Sequence, residues 1–108
     1  MIDINDFQKI DMRVGTIISA STNKGARNPA YKLEIDFGHL GIKKSSARIT
    51  SVYEPNDLIG KQVIAVINFP PIKISEVKSE VLVLGIDSDE GVVLLTPDKT
   101  VENGEKIY

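Results

Sequence analysis

A chain of 108 residues is long enough for one domain with a single core, and 42% hydrophobic against 26% charged residues is ordinary globular composition, not disorder. Without cysteine it has no disulfide, no thiolate metal site and no cysteine nucleophile, which fits a reducing compartment. The net charge of −2 argues against a general polyanion binder, yet residues 13–78 carry ten Lys/Arg against five Asp/Glu while residues 79–108 sum to −5, so either charge is clumped by chance on a solvated surface or a basic face lies on the central strands.

The N-terminal stretch MIDINDFQKID is acidic and polar, unlike a signal peptide, and Asp3 is placed to cap a short helical turn carrying Phe7 and Ile10. Met12 to Ala20 alternates as a first strand, with Gly15 inside it suggesting a bulge or tight bend. The loop Asn23–Pro29 is polar, rich in breakers and basic through Lys24 and Arg27. Tyr31, Leu33, Ile35 and Phe37 alternate with Lys32, Glu34 and Asp36 in the cleanest strand pattern of the chain. Gly38 to Gly41 turns the chain, and Ile42–Ile49 returns antiparallel, polar enough to show one face to water or to a polar ligand. Thr50–Gly60 predicts a connector with a short helix, Pro55 in its first turn and Gly60 stopping it.

Lys61–Phe69 is the most apolar strand up to that point, and it runs into Pro70-Pro71. Two prolines fix φ and remove two N–H donors, so the chain must leave its sheet there and carry Lys73, Glu76, Lys78, Ser79 and Glu80 on a stiffened loop. Val81–Gly85 and Val92–Thr96 read as further strands joined by an acidic turn, Ile86–Gly91, and Asn103-Gly104 is a tight turn near the end. The expected fold is all-β: a five-stranded Greek-key barrel of the oligonucleotide-binding (OB) type, with a short helix between strands three and four and terminal extensions, formed by residues 1–108 as one domain.

The inventory suits binding better than catalysis. His39 is the only histidine, so neither a histidine metal site nor a Ser-His-Asp triad can be assembled, and Asp87, Asp89 and Glu90 lack the later ligands of a cation loop. No enzyme activity, metal or cofactor is expected. Lys32, Lys43, Lys44 and Arg48 fall on two adjacent predicted strands, with Lys73 and Lys78 on the loop beside them, a pattern able to neutralise phosphates. Three Tyr, three Phe and no Trp weigh against a base-stacking surface, so any nucleic-acid partner would be a folded RNA met through its shape and backbone. Phe69, Pro70, Pro71 and Ile72 are apolar where a loop should be polar, as at an interaction patch for polypeptide.

FQKIDMRVGTI at 7–17, YKLEIDFG at 31–38, IKKSSARIT at 42–50, PNDLIGKQVIAVINFPP at 55–71, SEVLVLG at 79–85 and VVLLTPDKTVENGEKI at 92–107 together resemble the CsaA family nearly end to end. That resemblance implies a cytoplasmic, export-related chaperone, a branch of the tRNA-binding-domain family that is also found appended to methionyl- and phenylalanyl-tRNA synthetases. It implies an OB-fold homodimer completed by segments outside the barrel, binding unfolded or precursor polypeptides without membrane insertion, with tRNA the alternative partner. On the wider family's pattern Ser46 matches a serine of the third strand, with Ala47 in place of its glycine, and Asn68 and Lys73 match the exit of the fourth strand. Ser79 and Glu80 keep a later motif, whereas Val81-Leu82 replace its Gly-Met, and a β-branched Val81 would change how closely a ligand approaches. Arg13, Lys32, Lys44, Arg48 and Lys78 complete the RNA-facing candidates from charge and placement.

Overall fold

The computed structural model describes residues 1–108. Asp3 caps α1 (Ile4–Gln8) through a reciprocal box with Asp6, as its sequence predicts. The strands β1 (Met12–Thr22), β2 (Tyr31–Asp36) and β3 (Ile42–Ala47), the short helix α2 (Pro55–Leu58), opened by Pro55, and the strand β4 (Gln62–Val66) follow. The remaining elements are β5 (Ile72–Ile74), β6 (Val77–Ser79), β7 (Leu82–Val83), β8 (Gly85–Ser88) and β9 (Gly91–Leu94). The main sheet has five antiparallel strands in the order β3-β2-β1-β4-β7, rolled into a nearly closed OB-type barrel.

The alternation of β2 sets the core: Tyr31, Leu33, Ile35 and Phe37 are all buried, and with Ile17, Leu58, Val63 and Ala65 they fill the barrel. Each buried Val, Leu, Ile or Phe among them contributes roughly 1.5–3 kcal/mol through removal from water. β1 departs from simple alternation. Its register on β2 shifts between Ile17 and Ser19, so Ile17 turns inward and Ile18 outward. The irregularity therefore lies at Ile18, not at Gly15, which keeps its place opposite Val63. Gly15 is required for close approach: a Cβ there would stand 2.6 Å from Ile35 Cγ2 and 2.8 Å from the Phe37 ring.

The fourth strand is shorter than the predicted Lys61–Phe69: it stops at Val66 before the prolines, with Ile67 N–H donating to the Asp11 carbonyl at 2.9 Å. The segment beyond Pro70-Pro71 is an ordered hairpin, β5–β6, turning at Ser75-Glu76. Ser75 adopts φ 56°, a left-handed conformation that L residues hold only when braced. The brace is its own hydroxyl, which donates to the Lys24 carbonyl at 2.9 Å and fixes the hairpin tip against the β1–β2 loop. The predicted acidic turn also shortens: Ile86–Ser88 belong to β8, which pairs with β9 across Asp89-Glu90. At the far end, residues 103–107 lie along the start of β1, with Gly104 N–H donating to the Val14 carbonyl at 2.7 Å and Ile107 N–H to that of Met12 at 2.9 Å.

Polar side chains close the barrel where β3 meets residues 79–81. Glu80 N–H donates to the Lys44 carbonyl at 2.8 Å, and the Glu80 carboxylate accepts from Lys44 N–H at 3.0 Å. The fully buried Ser45 hydroxyl donates to the Val81 carbonyl at 2.9 Å. Ser45→Ala should cost about 1–3 kcal/mol, because it strips a buried carbonyl of its principal donor; urea unfolding checks this, and an unchanged midpoint would contradict the closure described.

Candidate functional site

Two continuous recesses open beside that seam. One, of about 370 Å³, is lined by Phe69, Pro70 and Ile72 from the proline segment, Ser79 and Glu80 from the end of β6, and Leu82. The other, of about 450 Å³, lies between Arg27 and Asn28 of the β1–β2 loop, the end of β3 with Arg48, and β7. Ser46, Ile74 and Leu82 line both, so they form one groove along the barrel wall. It occupies the face made by the third strand and the loops after strands one and four, which is where OB folds commonly take ligands.

The proline segment explains the apolar half. With two N–H donors missing, Pro70-Pro71 cannot pair into the main sheet, and the flanking side chains stay outside, Phe69 51% and Ile72 63% exposed. Leu82 of β7, 51% exposed, adds to them from the sheet's edge strand. Pro71 is exposed but does not line the groove. Val81, by contrast, is 4% exposed and packs in the core while also lining this recess, so of the two replacements Leu82 is the one with a largely exposed side chain.

Of the RNA-facing candidates, the groove gathers Ser46, Arg48, Ser79 and Glu80 and leaves out Arg13, Lys32, Lys44, Asn68, Lys73 and Lys78. Several of these groups already have partners inside the fold. Ser46 N–H donates to Ser79 Oγ at 3.1 Å, and Ser46 Oγ accepts from the buried Asn23 Nδ2 at 2.9 Å. Asn23 also donates to the Ile74 carbonyl at 3.2 Å, tying the β1–β2 loop, β3 and β5 together; nothing in the residue pattern marks it in advance. Asn68 binds backward, its Oδ1 accepting from Asp11 N–H at 3.0 Å and its Nδ2 donating to the Lys9 carbonyl at 2.8 Å. The Arg13 guanidinium is held by Asp11 at 2.7 Å and the Gly104 carbonyl at 3.0 Å, far along the chain from the groove.

The cations of Lys32, Lys44, Arg48, Lys73 and Lys78 remain unpaired, since the ion pairs present are Lys9–Asp6 and Arg13–Asp11. Lys73 faces Lys78 directly across β5–β6, a like-charge pairing that costs stability unless an anion or solvent relieves it. With Ile72 and Ile74 turned to the groove, alternation places these two lysines on the opposite face of the hairpin. Lys32 lies elsewhere again, in a polar recess with Ser21, Thr22, Lys24 and Glu76.

Away from the groove, Tyr31 OH donates to the Tyr53 carbonyl at 2.7 Å; burial, then the Glu54 and Asp57 carboxylates, push its pKa up and keep it a donor. His39 is exposed in a 3₁₀ turn, Gly38–Leu40. No helix is long and apolar enough to cross a membrane. A second apolar surface joins the termini, where Ile4, Phe7 and Ile10 border Ile107 and Tyr108 around a recess of about 500 Å³.

Residues 12–106 match the family described as a putative tRNA binding domain. The chain belongs to that tRNA-binding domain family, as a member of the CsaA type. Its structure is similar to that of a CsaA chaperone protein from Picrophilus torridus, 55% identical over all of both chains with a TM-score of 0.95. It is also similar to chaperone CsaA from Bacillus anthracis, 52% identical over 100% of this chain and 99% of that one, TM-score 0.93. A methionine–tRNA ligase of Methanococcoides burtonii is 37% identical across 100% of this chain, which spans only 16% of that protein's length.

Proposed function

We propose that the chain acts as a chaperone, binding unfolded or export-destined polypeptides as a homodimer, by binding alone and without catalysis. The observation that carries this is the groove beside the Pro70-Pro71 segment, where Phe69, Ile72 and Leu82 hold apolar surface open to solvent. Such surface is costly to leave exposed on a small protein and is the usual mark of a partner site. The whole-length likeness to proteins named CsaA chaperones supports the same role. The apolar surface joining α1 to the C-terminal residues suits the second copy, and the cytoplasm suits a chain without cysteine.

The test is a heat-aggregating client followed by light scattering, with the protein's mass in solution measured on the same sample. A dimer mass and slower client aggregation at near-stoichiometric amounts are expected. A monomer that leaves aggregation unchanged would refute the proposal.

A second role, binding of a structured RNA such as tRNA, is favoured by one observation. Lys73 and Lys78 stand opposed without a carboxylate partner on the hairpin's outer face, and the side chains of Lys44 on β3 and Arg48 just beyond it have no ion pair. Phosphates would relieve that repulsion, and the binding would weaken steeply with salt. Because Lys73 and Lys78 lie on the hairpin face away from the apolar groove, the two roles can share one molecule.

A further inference from the structure

We propose that the groove selects extended polypeptide segments in which apolar residues are flanked by carboxylates, and that Arg27 and Arg48 discriminate against segments flanked by Lys or Arg. The proposal rests on the polypeptide-binding role above and names the chemistry of the partner.

The two halves of the groove differ in kind. One presents Phe69, Ile72 and Leu82. The other presents Arg27 and Arg48, both exposed, and no Asp or Glu lines it. Neither guanidinium has an ion pair or a hydrogen bond within the chain. Glu80 is the one acid along the whole groove, and its carboxylate is engaged by Lys44 N–H at 3.0 Å. A free guanidinium at an apolar margin is suited to a carboxylate: its planar fork accepts both oxygens, and it is weakly hydrated.

The backbone on either side agrees with an extended occupant. β3 and β7 are the terminal strands of the main sheet and are not paired with each other. Residues 79–80 already bond the β3 edge at Lys44 and Ser46. Beyond them, residues from the end of β3 and from β7 line the Arg-bearing half, so an extended segment can run along the strand ends there. Net charge alone points the other way, because a chain at −2 would draw basic segments. A preference for acidic flanks can therefore come only from the local arrangement.

The experiment uses the full chain and two fluorescently labelled peptides with the same apolar centre, one flanked by Asp and Glu, the other by Lys and Arg. The acidic-flanked peptide should bind about 3–30-fold tighter at low salt, as two partly exposed charge contacts allow, and the gap should narrow as salt rises. Arg27→Glu with Arg48→Glu should reverse the order, while Lys99→Glu, an exposed charge reversal on neither wall, should leave it intact. Both arginines are exposed and unbonded, so the double variant should keep its thermal midpoint. Equal binding of the two peptides, a basic preference, or the same shift from Lys99→Glu would overturn the selection while sparing polypeptide binding. If neither peptide binds, both the selection and the polypeptide-binding role fall.

Discussion

Phe37→Ala should lower stability by about 3–5 kcal/mol, the cost of truncating a buried aromatic side chain. For a chain of this size that is a fall in thermal midpoint of roughly 12–25 °C. The reason is the place of the ring. Phe37 is fully buried at the end of β2, and it lies so close to the β1 backbone that only Gly15 leaves it room. Neighbours on both sides belong to the sheet's hydrogen-bonded ladder, so the cavity left by the ring cannot readily collapse. Scanning calorimetry checks this, and a shift below a few degrees would mean that the ring is not the centre of the core.

Phe69→Asp combined with Ile72→Asp should abolish polypeptide binding while leaving the fold unchanged. Both side chains are more than half exposed, Phe69 outside any strand and Ile72 at the start of the two-stranded β5–β6 hairpin, so little folding energy depends on their side chains. Covering a Phe or Ile side chain contributes about 1.5–3 kcal/mol, so losing one contact weakens binding about tenfold to 150-fold, and two carboxylates in its place add desolvation cost. Anisotropy with an unfolded client measures the loss, and circular dichroism melts report the fold. Retained binding would move the polypeptide site away from the proline segment.

What the residues alone disclosed follows how local each signal is. The inward face of β2 was legible because alternation at Tyr31, Leu33, Ile35 and Phe37 needs only neighbours in the chain. The cap at Asp3 and the start of α2 at Pro55 were legible for the same reason. A glycine in a strand signals a bulge, a tight bend or a close approach equally well; at Gly15 the Phe37 ring decides for close approach, and the register shift of β1 lies at Ile18.

The seam and the groove depended on distant residues. A serine that closes a barrel and a serine that contacts a ligand look alike in a sequence, and Ser46 and Ser79 are bonded to each other across 33 positions. Asn68 drew notice as a binding residue, whereas its amide joins the β4 exit to residues 9–11. The β5–β6 hairpin lacked a turn signal because its left-handed residue is Ser75 and not glycine. Arg27 stood out as a loop cation, but its company with Arg48 and Leu82 appears only once the loop is folded against β3 and β7.

The central claim is that the apolar groove, and not the basic surface, dominates partner choice. Calorimetric titration of one protein sample with an unfolded polypeptide and, separately, with tRNA at physiological salt tests it most directly. The account predicts saturable polypeptide binding with a negative heat-capacity change, lost in the Phe69→Asp, Ile72→Asp variant, together with weaker tRNA binding that fades as salt is raised. Tight, salt-dependent tRNA binding with no heat from the polypeptide would contradict it.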